Sequence, residues 1–457
     1  MEIIIGLEIH VEINSQTKLF CSCPTHASIP NTATCPTCVG FPGSKPVFNK
    51  KVLESALKLC LALNCTIAPE VIFSRKTYFY PDMGKNYQIT QYEMPLGSKG
   101  QLALSNKTIG ITRVHIEEDP AALIHQGSVV LVDYNRSGKP LCEIVTEPDM
   151  NSPEDAREFL KRLITILHYL HIFDIHEGVI KADANISIKG YERVEIKNIT
   201  GFKEIERALT YEIERHKKLV SESKGITQRE TRGWDADKGI TLFQRSKEEE
   251  ADYGYIMDPD LVAIDVTEGM IEKTIKELPE LPAAKTQRYI KDYKLKKDDA
   301  EAIANDYDLA QIFEHATTKV APLFAAEWIR REVARVLNYN KKTLDETFIP
   351  EQIIDLMELL NTNQITRQTG QRLMEKLAST DISVKKYIQD NNLLIVTDTK
   401  AIEETCIKIL KENQPVVQDY KKGNEKALNR LVGLVMRESR GKADAIKTTE
   451  LLKKHIK

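Results

Sequence analysis

Ile3-Ile-Ile-Gly6-Leu7-Glu8-Ile9-His10-Val11-Glu12-Ile13 is the stretch that decides the reading of this chain. From Leu7 on, apolar and polar residues alternate strictly. Leu7, Ile9, Val11 and Ile13 point one way, and Glu8, His10 and Glu12 point the other. A period of two is the mark of a strand with one buried face. Further strand patterns occupy residues 108–116, 129–134, 184–188 and 193–197.

Two helical patterns interrupt them. From Val52 to Leu63, one stripe carries Val52, Ala56, Leu59, Cys60 and Leu63. From Pro153 to Leu170, Phe159, Leu160, Leu163, Ile164, Leu167 and Leu170 form another. Ser152 suits the N-cap, Pro153 the first helical position, and Glu154 and Asp155 the positive end. Near Pro279-Glu-Leu-Pro-Ala-Ala the strand signals nearly vanish, and amphipathic helices with short polar joints follow. The expectation is an α+β fold: a mixed-sheet domain over residues 1–284, a helical domain over 285–400 and a helical tail over 401–457. Neither an internal repeat nor a low-complexity tract is visible.

The 457 residues match about three domains. A formal net charge of -3 excludes a global basic field, so any nucleic acid must bind a local patch. The start Met1-Glu2-Ile3 lacks the basic region of a signal peptide, and no apolar run approaches the roughly 20 residues of a membrane helix. A cytoplasmic location is expected.

Four of eight cysteines crowd into Cys21-x-Cys23 and Cys35-Pro36-Thr-Cys38. Two tight thiol pairs can surround a tetrahedral zinc ion. Such a site is closed and therefore structural. Glu8, His10 and Glu12 form either a solvated strand face or part of a divalent-metal site, which needs carboxylates from several segments. Candidates to complete it are His115-Ile-Glu117-Glu118-Asp119, Cys142-Glu143 through Asp149, and Lys181-Ala-Asp183-Ala-Asn185. Spacing does not choose between Glu117 and Glu118. Residues Arg75 to Gln88 interleave cations with Tyr78, Phe79, Tyr80 and Tyr87. They suit either phosphate holding with base stacking or a partly buried aromatic loop. No Walker, Gly-x-Gly-x-x-Gly or kinase signature is present, so a nucleotide site here must be non-standard.

In order, GLEIHVEI, CPTCVGFPGSKPVFN, RKTYFYPDMGKNYQITQYEMPLG, GITRVHIEEDPAALIH, LVDYNRSGKPLCEIVTEPDM, EGVIKADANISI, DYGYIMDPDL and LVGLVMRESRGKADA span residues 6 to about 445. Read together they resemble the GatB family, the B subunits of tRNA-dependent amidotransferases. The resemblance implies a cradle-like sheet domain that phosphorylates the side-chain carboxylate of Glu-tRNA(Gln) or Asp-tRNA(Asn), using ATP and Mg2+. Ammonia from a partner amidase (glutaminase) A subunit then forms the amide, and a small C subunit belts the two together. It implies His10, Glu118 and Glu143 as Mg2+ ligands assisted by Glu8, and a structural Zn2+ on Cys21, Cys23, Cys35 and Cys38. Arg75, Lys76, Lys85 and Arg136 are candidates for phosphate contact.

Two departures from the family pattern stand out: Lys181 where Arg is frequent, and Gly254 within Asp252-Tyr-Gly-Tyr, where Arg is frequent. They look like those of an archaeal or divergent member. The related archaeal E subunit carries an inserted synthetase-like domain between cradle and helices, and the passage near Leu278–Pro282 has no room for one. A non-catalytic, zinc-stabilised tRNA-binding module is the alternative from another class. No amidase signature is present. Residues 401–457 hold thirteen Lys or Arg against eight Asp or Glu. Lys421, Lys422, Lys426, Arg430 and Arg437, with Arg440 and Lys442, are expected to meet tRNA there, mainly through phosphate.

Overall fold

A computed structural model describes all residues except 175, 177, 223, 247–252, 341–343, 345–349, 396–398, 440–442, 444 and 457. The chain forms two compact units, Met1–Leu281 and Pro282–Lys457.

The first unit starts with β1 (Ile3–Glu12), whose alternation puts Leu7, Ile9 and Val11 in the core and leaves Glu8, His10 and Glu12 on the other face. Then come α1 (Lys50–Ala62), β2 (Thr66–Ile67), β3 (Glu70–Val71), β4 (Ser74–Thr77), β5 (Tyr87–Thr90), β6 (Gly97–Ala103) and β7 (Thr108–Glu118). A separate hairpin, β8 (Ala122–Gln126) with β9 (Val129–Asp133), precedes β10 (Pro140–Thr146) and α2 (Pro153–Leu170). The unit continues through β11 (Ile180–Ile188), β12 (Val194–Thr200), α3 (Phe202–Ser221), β13 (Glu230–Asp235) and β14 (Ile240–Ser246), and ends with β15 (Tyr255–Met257), β16 (Ile264–Asp265) and α4 (Glu268–Glu277).

Nine strands make one sheet in the order β14-β13-β12-β11-β1-β10-β7-β6-β2, with β1 in the middle. Only the β12–β13 pair in it is parallel. A parallel pair needs a crossover, and α3 supplies it. One sheet face packs on α1, α2 and α3 in a single core that includes Leu7, Ile9, Val114, Ile144, Phe159, Leu163, Ala208 and Leu209. Burying each of these larger apolar side chains contributes about 1.5–3 kcal/mol. The α2 helix starts as its sequence suggests: the Ser152 side chain accepts from Asp155 N–H, and Pro153 stands in the first turn. The third helix, α3, lies outside the two helical patterns read from the sequence of this unit. A small sheet, β15-β4-β5, lies against the end of β7.

The second unit is helical among the described residues. It comprises α5 (Pro282–Tyr293), α6 (Lys297–Ala304), α7 (Tyr307–Ala316) and α8 (Pro322–Trp328), a π-turn at Ile329–Val333, then α9 (Ala334–Asn340), α10 (Pro350–Asn361), α11 (Arg367–Leu377) and α12 (Val384–Asp390). Four further helices, α13 (Thr399–Glu412), α14 (Gln414–Lys421), α15 (Glu425–Glu438) and α16 (Ala445–Ile456), share their own core around Cys406, Leu431, Val435 and Leu452. The observed architecture is thus the expected one, a mixed sheet domain followed by helices. Among the described residues no helix is long and apolar enough to cross a membrane.

Candidate functional site

The polar face of the large sheet gathers its groups by register. His10 on β1 stands opposite Glu143 on β10, and Glu143 stands opposite His115 on β7. Three side chains from segments far apart in sequence therefore form one row, and Glu117 follows two residues along β7. His10 Nε2 lies 3.3 Å from Glu143 Oε2 and 3.5 Å from Glu117 Oε1. One ligand atom from each of the three falls within 4.8 Å of the others. One imidazole and two carboxylates make a donor set for a divalent cation. It suits Mg2+ with water completing the shell, and Mn2+ equally.

Electrostatics fit that use. Burial alone would lower the pKa of His10, but the hydrogen bond to Glu143 and the charges of Glu117 and Glu143 outweigh it and push it up to about 9. Glu143 is held far below the usual carboxylate range against its own burial, by His115, His10 and Arg113. A bound cation would replace the proton on His10 as the positive charge between the two carboxylates. Beside them Glu8 is pushed up by burial and by Glu143, and accepts from Asn185 Nδ2 at 2.9 Å. Lys197 bridges Asp183 at 2.9 Å and Glu195 at 3.2 Å further along the same face.

The geometry departs from the expected ligand set at one position. Adjacent residues of a strand turn to opposite faces. Glu117 therefore turns to His10, while Glu118 pairs with Lys85 and accepts from Ile89 N–H at 2.9 Å. Glu117, not Glu118, completes the cluster with His10 and Glu143. The expected phosphate-holding cations are mostly engaged as well. Arg75 Nε binds the buried Asp258 at 2.8 Å, and its guanidinium stacks 4.4 Å from the Tyr87 ring. Lys85 is paired with Glu118, and Arg136 with Asp119. Among the described residues Lys76 forms no ion pair; its ammonium sits 4.8 Å from the Tyr253 ring.

The four cysteines do converge, with their sulfur atoms within 4.8 Å of one another. Cys35 N–H donates to Cys38 Sγ at 3.2 Å, the tight turn that the Cys-Pro-Thr-Cys spacing suggests. Gly40 then leaves that turn at φ +75°, and a Cβ there would sit 2.8 Å from Lys85 Cα. A hydrogen bond from Cys21, with help from the nearby Lys18 ammonium, lowers the Cys38 thiol to about 4. Lys18 is 0% exposed, and its ammonium reaches Cys38 Sγ at 3.6 Å and Tyr134 O at 3.1 Å. A buried cation against a thiolate fits a tetrathiolate zinc site, whose net charge is negative. Sequence spacing finds the cysteines; nothing in it singles out Lys18.

Lys421, Lys422, Lys426, Arg430 and Arg437 lie on or between α14 and α15, whose inner faces bury Val417, Leu428, Leu431 and Val435. None of the five is ion-paired among the described residues. Asp252, Arg440 and Lys442 lie outside the described residues.

A mixed sheet carrying a His–carboxylate cation site, with a tetrathiolate centre in the same unit, defines a metal-using α+β catalytic domain. Residues 3–272 match the family model described as the GatB/GatE catalytic domain, and residues 311–456 match the one described as the GatB domain. The chain belongs to the GatB/GatE family. It is similar to the B subunit of the aspartyl/glutamyl-tRNA(Asn/Gln) amidotransferase of Caldanaerobacter subterraneus subsp. tengcongensis, 42% identical over 100% of this chain and 99% of the relative. The protein of the same name from Carboxydothermus hydrogenoformans is 41% identical over 99% and 98% of the two chains. That from Thermotoga maritima is 40% identical over 99% and 98%.

Proposed function

We propose that this chain is the B subunit of a tRNA-dependent amidotransferase acting on Glu-tRNA(Gln), Asp-tRNA(Asn) or both, in the cytoplasm. The observation that carries the reading is the convergence of His10, Glu117 and Glu143 on the polar face of a sheet lying within the matched catalytic domain. The reaction has two balanced steps. A carboxylate oxygen of the aminoacyl side chain attacks the γ-phosphorus of ATP, and ADP leaves. Ammonia then attacks the acyl carbon, and phosphate leaves, giving the amide.

His10, Glu117 and Glu143 would hold Mg2+, which when bound supplies positive charge to the triphosphate. Glu8, next to them, assists by fixing Asn185 and the strand it stands on. Lys76 is the cation best placed to meet phosphate, because it has no carboxylate partner among the described residues. Arg75, Lys85 and Arg136 would have to leave theirs to do so. The acyl phosphate is water-sensitive, so reaction on a sheet face requires cover from the bound tRNA or neighbouring segments. Cys21, Cys23, Cys35 and Cys38 hold a structural Zn2+. The charged face of α14–α15 meets tRNA phosphate. An amidase A subunit and a small C subunit complete the enzyme, since among the described residues no cluster resembles a glutaminase nucleophile.

The test uses the purified chain with each misacylated tRNA, ATP and Mg2+. With free ammonium it should form the amide and ADP; with glutamine alone it should not, until the amidase partner is added. Binding of tRNA with neither ADP nor amide formed would favour a non-catalytic tRNA-binding module instead.

A further inference from the structure

His115 is the one member of the row across β1, β10 and β7 that has no role in the proposed cation site. Its side chain is 5% exposed, against 27% for His10. Nε2 lies 3.5 Å from Glu117 Oε2 and 3.6 Å from Glu143 Oε2. Nδ1 is buried and has no hydrogen-bond partner.

These contacts divide the carboxylate oxygens between two sides. Glu117 Oε2 faces His115 and also accepts from Thr90 Oγ1 at 3.3 Å, while Oε1 is the oxygen turned to His10. Glu143 Oε1 faces Arg113 Nη2 at 3.6 Å, and Oε2 lies between the two imidazoles. A proton on Nδ1 would be an unmet donor in buried surroundings, at a cost of about 1–3 kcal/mol. In the neutral ring the hydrogen therefore sits on Nε2, and in the charged ring Nε2 carries one too. Either way His115 presents an N–H to the carboxylates and no lone pair to a metal.

We propose that His115 is a positioning residue for the divalent-cation site. Its Nε2–H anchors Glu117 by Oε2 and steadies Glu143, so that Glu117 Oε1 and the His10 side of Glu143 are fixed for the ion. It is not itself a ligand. The proposal rests on the reading of His10, Glu117 and Glu143 as the cation site. Partners of this kind commonly contribute about 10–100-fold to metal affinity.

The experiment titrates the purified chain with Mn2+, followed by the loss of free-ion electron paramagnetic resonance signal. His10→Ala tests the site itself: unchanged Mn2+ affinity there would sink the site, whatever His115 does. For His115 two amides are compared. The Gln amide nitrogen reaches the Nε2 position, and the Asn amide reaches only the Nδ1 position. His115→Gln should stay within roughly threefold of the parent, and His115→Asn should bind Mn2+ about 10–100-fold more weakly. In amidation the Asn variant should need correspondingly more Mg2+, with kcat largely restored at saturation. Equal, parental affinity of both variants overturns the proposal, and so does a Gln variant as weak as Asn. Nitrogen NMR of histidine-labelled parent protein tests the same point without mutation. The His115 signal should keep a hydrogen on Nε2 after Mg2+ is added; a shift to the Nδ1–H tautomer would make it a ligand.

Discussion

Glu117 and Glu118 are neighbours on β7, yet they belong to different assemblies: Glu117 lies 3.5 Å from His10 Nε2, and Glu118 is paired with the buried ammonium of Lys85. One peptide unit separates a ligand from a structural anion. Substitution should tell them apart. Glu117→Gln should weaken Mn2+ binding by more than about 100-fold, since losing a ligand costs more than losing an outer partner, and should leave folding stability nearly unchanged. Glu118→Gln strands Lys85 and should cost about 3–5 kcal/mol of stability in urea titrations while sparing Mn2+ binding. The reverse pattern would return the ligand role to Glu118.

The thiolate centre makes a compositional prediction. Metal analysis of the purified chain should find about one zinc per chain, and Cys35→Ser should lose it together with thermal stability. Lys18 gives a second handle. Lys18→Met removes the ammonium 3.6 Å from Cys38 Sγ and should speed zinc loss to a chelator. Metal-free parent protein of full stability would reject the centre.

Acid stability should depend on Glu212, which lies outside the cation cluster. Burial alone would raise its pKa, but hydrogen bonds from His216, Arg215 and Thr241 outweigh burial and hold it at about 2. A carboxylate depressed in the folded state stabilises the fold above its unfolded pKa, and that stability fades as pH falls from about 4.5 towards 2. The span is worth on the order of 3 kcal/mol. Glu212→Gln should therefore flatten the pH dependence of unfolding between about pH 4.5 and 2, read by the fluorescence of Trp234. An unchanged slope would show that other carboxylates govern acid unfolding.

Docking of tRNA through α14–α15 should be electrostatic. Replacing Lys421, Lys422 and Arg430 by Gln together should reduce the slope of log affinity against log salt by roughly 2, because fewer counterions are released. ATP hydrolysis with ammonium at saturating tRNA should survive. Equal affinity at two salt concentrations for parent and variant would move the docking surface elsewhere.

Some of this is legible in the sequence for clear physical reasons. The β1 alternation and the α2 cap are local patterns, and the four cysteines announce themselves by spacing. The α3 helix is harder to see because its buried stripe runs Ile205, Ala208, Leu209, Glu212, Ile213 and His216, and so contains two polar residues. Their burial is tolerated only because Arg215 and Thr241, from its own surface and from β14, satisfy Glu212. The choice of Glu117 over Glu118 depends on which face of β7 looks at β1, and that is a matter of pairing between strands. His115 and Lys18 are hidden as functional candidates for the same reason: each acquires its meaning from a partner distant in the chain.

β1 sits in the middle of the sheet, hydrogen-bonded on one side to β10 and on the other to β11. Both partners lie more than a hundred residues later in the chain. A growing polypeptide adds about 5–20 residues per second, so β1 waits many seconds with both edges unmatched. Over that interval Ile3-Ile-Ile and the Leu7–Ile9–Val11 row are open to any other strand, and only the alternating charges of Glu8 and Glu12 discourage mispairing. The carboxylate and imidazole side of the strand thus guards the nascent chain before it serves the finished site. A chain carrying Glu8→Val and Glu12→Val should aggregate during synthesis more than its folded stability would suggest.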